Sequence, residues 1–130
     1  AIPTPPETAL TLDDRVFVRS GATTRFVPVA AICAVKSCEN YTELLLLSGE
    51  RLLVLRTLKS WEGVLPEPAF TRIHRQAIVN LARVTKIERA GEEELLFHLD
   101  APHPALPASR RQIAEVRDRL KAAGLGGLLP

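Results

Sequence analysis

A mainly β domain of short antiparallel strands with two short helices is what this chain of 130 residues predicts. Three observations carry that expectation. Short apolar or alternating runs recur around the turn signals Ser20-Gly21, Ser48-Gly49 and Ala90-Gly91. The apolar spacing becomes helical in two places, after Thr57 and after Ser109. Hydrophobic residues make up 46% and charged residues 25%, which suits one buried core and argues against disorder.

In chain order, Arg15 to Arg19 alternates Val16 and Val18 with charged or aromatic neighbours, and Thr24 to Val29 returns after Ser20-Gly21 as a hairpin. Ile32 to Lys36 is a third strand. Tyr41 to Leu47 and Glu50 to Leu55 flank Ser48-Gly49, and their leucine and valine content predicts strands covered on both faces at the centre of the core. Leu58, Trp61 and Leu65 then fall on one helical face, Thr57 stands at the cap, and Pro66 and Pro68 stop the helix after about two turns. Phe70 to Ile73 reads as a brief strand, while Ala77 to Leu81 fits either helix or strand. Val84 to Arg89 pairs with Glu94 to Leu99 across Ala90-Gly91. Ala105 to Pro107 is extended by its prolines. Ser109 and Gln112 have capping-box spacing ahead of the stripe Ile113, Val116 and Leu120, and Gly124 marks the end of that helix.

Several function classes find no support in this pattern. No apolar run approaches the roughly 20 residues of a membrane-spanning helix. Cys33 and Cys38 stand five apart without CxxC or zinc spacing, which fits reduced thiols of a cytoplasmic protein. His74, His98 and His103 are scattered, and no Gly-rich phosphate loop or nucleophile elbow occurs, so no catalytic residue, metal or cofactor is expected. Residues 1–12, with Pro3, Pro5 and Pro6, have the composition of a linker, from which an upstream regulatory domain or membrane anchor is expected; residues 13–122 form the domain and 123–130 a tail.

Charge is sorted along the chain although its sum is only +2. Residues 71–90 hold Arg72, Arg75, Arg83, Lys86 and Arg89 against Glu88, and residues 109–121 hold Arg110, Arg111, Arg117, Arg119 and Lys121 against Glu115 and Asp118. Such basic clusters beside buried strands point to a polyanionic partner, the bland alternative being that Arg72 and Arg75 snorkel over the core or pair with acids. Arg110 and Arg111 stand in the first turn of a helix, where each cation opposes the helix dipole by about 0.3–1 kcal/mol. A bound phosphate reverses that sign.

The string Phe70, Arg72, Ile73, His74, Arg75, Ile78, Val79, Asn80 and Leu81 resembles the signature of the LytTR DNA-binding domain. Ile32, Glu39-Asn40-Tyr41 and Leu58 to Leu65 resemble its upstream strand, loop and helix, and Leu106-Pro-Ala-Ser-Arg110 resembles its L-P-V-S-R element; the likeness spans about residues 13–121. It implies an elongated arrangement of small, mostly antiparallel sheets with two short helices. It implies loops that read double-stranded promoter DNA, usually as direct repeats with two copies on one site, in the output domain of a bacterial two-component response regulator. By position, Asn40, Tyr41, His74, Arg75 and Arg110 are the base-contact candidates, and Arg56, Lys59, Arg72, Ser109 and Arg111 the phosphate-contact candidates.

Residue chemistry fits these roles unevenly. Arg75 and Arg110 suit guanine, whose O6 and N7 accept a bidentate guanidinium. Asn40 suits adenine but is equally a turn residue. Tyr41 suits the core or a strand edge better than a base contact, His74 either a phosphate or a packed position, and Ser109 either a phosphate or the helix cap. Asn80 is expected to satisfy local backbone groups. The competing function is a β-rich interaction module that binds an acidic protein or RNA.

Overall fold

Turn chemistry sets the strand pairs. The computed structural model describes residues 10–66, 69–91 and 94–128, without the side chains of Arg110 and Leu128. Gly21, at φ 61°, reverses the chain between β1 (Arg15–Ser20) and β2 (Thr23–Pro28), which form a two-stranded sheet. Gly49, at φ 95°, does the same between β4 (Tyr41–Leu46) and β5 (Arg51–Val54). These conformations are open to glycine at little cost. A Cβ on Gly49 would also lie 3.0 Å from Cγ of Pro102.

β3 (Ile32–Cys38), β4, β5, β6 (Phe70–His74) and β7 (Ala77–Asn80) make a five-stranded antiparallel sheet in the order β5-β4-β3-β7-β6. β8 (Val84–Arg89), β9 (Leu95–Leu99) and β10 (Leu106–Ala108) make a three-stranded one in the order β10-β9-β8. The segment that fitted either helix or strand is therefore strand, followed by a 3₁₀ turn at Leu81–Arg83. The mainly β architecture of small antiparallel sheets with two helices stands as the sequence predicts.

Side chains alternate across the large sheet, which separates two apolar clusters. Val35, Leu44, Val54 and Ile78 face helix α1 (Leu58–Val64) and the β1–β2 hairpin, where fully buried Trp61 packs with Val16, Val18 and Val27. Ala34, Leu45, Ile73 and Val79 face the smaller sheet and helix α2 (Arg110–Ala122), packing with Phe97, Leu106, Val116 and Leu120. Burying one such side chain contributes about 1.5–3 kcal/mol.

Three expectations change in detail. The most central strand is β3 rather than the β4–β5 hairpin. β5 is an edge strand, and Leu53, paired with Glu43 on the face away from α1, belongs to neither apolar cluster and is 44% exposed, so β5 is not covered on both faces. Ser109 does occupy the N-cap of α2, but its side chain makes no cap hydrogen bond; its backbone carbonyl accepts from Gln112 N at 2.9 Å. At α1 the cap forms as expected, with Thr57 Oγ1 accepting from Ser60 N at 3.2 Å. The Pro68 stop signal and the Glu92-Glu93 hairpin tip lie outside the described residues.

Candidate nucleic-acid interface

Antiparallel topology brings the separate basic and polar segments to one end of the large sheet. The chain turns from β3 to β4 at Glu39-Asn40, and Cys38 pairs with Tyr41. On the other side of β3, Lys36 pairs with Ala77, and Ser37 N donates to Gln76 O at 2.8 Å. The β6–β7 turn at Arg75-Gln76 therefore lies beside the last residues of β3, with the β3–β4 turn projecting about 7 Å further at 3.3 Å per residue. β5 ends here too, since Val54 pairs with Thr42, and Arg56 and Lys59 follow directly.

A β-bulge shapes the β6–β7 turn. Arg72 pairs with Ile78 and His74 with Ala77, so β6 spends one residue more than β7, and Ile73 is the extra one. A bulge diverts backbone groups from the ladder and turns the strand. The carbonyl of Ile73 accepts from Ser109 N at 2.8 Å, and this fixes the start of α2 against β6. His74 Nδ1 accepts from Gln76 N at 3.1 Å and braces the turn from within.

The candidate cations differ in how they are held. Arg75 and Arg111 are exposed, as are Lys59 and Asn40. Arg56 is half-buried, its guanidinium 4.3 Å from the centroid of the Trp61 ring and its Nε donating to Ser60 Oγ at 2.9 Å. Arg72 NH1 donates to Glu62 Oε1 at 3.3 Å, Nε to His74 O at 3.3 Å, and NH2 to Arg75 O. Tyr41 is 41% exposed at the strand start. Ser109 is half-buried, and the backbone of Arg110 opens α2. Between α1, β6 and α2 lies a cavity of about 240 Å³, whose walls include Arg72, Arg75, Gln112 and Glu115.

Two buried polar side chains support this end and its opposite. Trp61 Nε1 donates to Thr42 Oγ1 at 2.7 Å, tying α1 to β4 one residue past Tyr41. At the far end, Asn80 Nδ2 donates to Ile32 O at 3.1 Å and its Oδ1 accepts from Ala82 N at 3.1 Å. Asn80 thus has the backbone role expected of it, at the end of the sheet away from the candidate cations.

Sequence reasoning missed the bulge, the Glu62 partner of Arg72, and Lys36. Lys36 is half-buried near the end of β3, opposite both Glu43 and Ala77. The only signal for it is that Lys36-Ser37 ends the apolar run of β3. Among the described residues, no group of three or more His, Cys, Asp or Glu side chains is arranged to hold a metal, and no helix is long and apolar enough to cross a membrane.

Comparison with protein families matches residues 22–121 to the LytTr DNA-binding domain. Among solved structures, the fold is similar to the LytTr DNA-binding domain of a Bacillus cereus protein described as a methyl-accepting/DNA response regulator. The TM-score is 0.73 at 21% identity, covering 82% of this chain and 95% of that one. Comparison with curated proteins finds no match.

Proposed function

The chain belongs to the LytTr DNA-binding domain family, and from that premise we propose that it reads specific duplex DNA as the output module of a bacterial transcription regulator. The observation that carries this reading is the gathering of the β3–β4 turn, the β6–β7 turn and the start of α2 at one sheet end. A polyanion neutralised there releases counterions, and groups that reach base edges supply sequence preference.

Strand spacing sets the scale. The β3–β4 and β6–β7 turns stand two strand positions apart, about 10 Å at 4.8 Å per strand, comparable with the roughly 12 Å width of a major groove. The five strands together span about 19 Å, or about half a helical turn of DNA. One domain then reads one half of a repeated site, and direct repeats in a promoter are read by two copies side by side.

Asn40, Tyr41, His74, Arg75 and Arg110 are the proposed base contacts. Lys59, Ser109 and Arg111 are the proposed phosphate contacts, with Arg56 added where it leaves Ser60. At the start of α2, free backbone N–H groups and Arg111 form one anion site, which gives cations placed against the helix dipole a reason to be there.

Selection of random duplex on the domain tests this, followed by binding of the enriched site at fixed salt. Enrichment of a repeated motif is expected, with Arg75→Ala and Arg110→Ala each relaxing the preference at defined bases by about 1–3 kcal/mol. Arg111→Ala should weaken all duplexes alike and reduce the salt slope by about 0.9. Equal affinity for every duplex, or tighter binding to RNA or an acidic protein, would sink the reading.

A further inference from the structure

The three hydrogen bonds of Arg72 set it apart from the exposed cations around it. Its guanidinium spans the carboxylate of Glu62 on α1 and the carbonyls of His74 and Arg75, on both sides of the peptide that carries Arg75. The side chain is 28% exposed, and a phosphate could take it only by breaking that set. We propose that Arg72 is a positioning residue, which locks the bulged β6–β7 turn to α1 and so fixes the direction in which Arg75 meets the base edge.

The geometry explains why arginine stands here. Ile73 is the extra residue of the bulge and the ladder resumes with the single pair His74–Ala77, so the turn residues Arg75 and Gln76 beyond it have no strand partner in this hairpin. The Ile73 carbonyl is taken by Ser109 N, which leaves the next two carbonyls to Arg72. A guanidinium offers five donors in a rigid plane and meets carbonyls on one side and a carboxylate on the other. Lysine has the charge without the fork. Glu62 completes the lock by neutralising a cation that would otherwise draw a phosphate into the turn.

This inference rests on the DNA reading for its consequence and on the free protein for its geometry, so two measurements separate the two. In the free protein, Arg72→Lys and Glu62→Gln should each speed amide exchange at Gln76 about tenfold while β3 amides stay at the parent's rate. Unchanged exchange at Gln76 would overturn the lock, whatever DNA does. On the enriched duplex, both variants should lose about tenfold in preference at the base pairs that Arg75→Ala relaxes, with the salt slope unchanged. Added to Arg75→Ala, Arg72→Lys should change that preference less than twofold. Retained preference in Arg72→Lys together with tighter binding by Glu62→Gln would identify Arg72 as a phosphate contact instead. A selection that enriches no motif would remove the DNA reading and leave the exchange result to decide the lock.

Discussion

Asn80 occupies the family signature and yet sits 1% exposed, holding the carbonyl of Ile32 and the N–H of Ala82 with one amide. Asn80→Ala removes both bonds and takes a partner from the carbonyl of fully buried Ile32, at about 1–3 kcal/mol, while exposed Ala82 can turn its N–H to water. Urea unfolding should show that loss while selectivity in the folded fraction is kept; an unchanged midpoint would remove the structural role. Cys33 gives a second test at this scale. Burial pushes its thiol pKa up, Arg83 lowers it, and Asp100 raises it again. The folded state therefore favours the neutral thiol. Its contribution is complete at neutral pH and is lost as pH rises past the ordinary thiol range, where the unfolded chain ionises first. At neutral pH a thiol reagent should label exposed Cys38 at once and Cys33 only as the molecule unfolds.

At the scale of elements, the hairpins were legible because Gly21, Gly49 and Gly91 mark their turns, and both helices because their apolar spacing follows a cap residue. Two features were not. No residue type announces the bulge at Ile73, which follows from the competition of β7 and Ser109 for the backbone of β6. The β3–β4 turn lacks a glycine altogether, and Glu39 adopts φ 57° instead. That left-handed conformation costs an L-residue about 1–2 kcal/mol, and it stands beside Asn40, where the DNA edge is proposed. Glu39→Gly should raise the thermal midpoint, with a net gain of up to about 1 kcal/mol once the added chain entropy of glycine is counted. A lowered midpoint would mean that the Glu39 side chain holds the turn by contacts that outweigh its strain. α1 offers a parallel test. Trp61→Phe keeps an aromatic ring in the core but strands the Thr42 hydroxyl, at about 1–3 kcal/mol.

At the scale of the whole molecule, one sheet separates two cores and carries candidate contacts at a single end. The candidates could be named from sequence because their types suit phosphate and base edges. Their convergence could not, since it depends on the order β5-β4-β3-β7-β6 and on the bond from Ser109 to Ile73. Spacing along the chain carries no record of either. The opposite end is occupied differently: His103 Nε2 lies 2.7 Å from Leu46 O, and Arg83 Nε donates to Ala30 O at 3.0 Å. The outer face of β1–β2 exposes the edge-to-face pair Phe17 and Phe26, 56% and 61% exposed, as a third distinct surface. These surfaces can be told apart by following backbone amide resonances while the enriched duplex is added. Shifts should concentrate at residues 36–41, 55–60, 72–77 and 109–112, leaving 46–51, 80–83 and the Phe17–Phe26 face unmoved. Shifts centred on either of those two surfaces, with the β6–β7 turn unmoved, would contradict the assignment of the DNA-binding end.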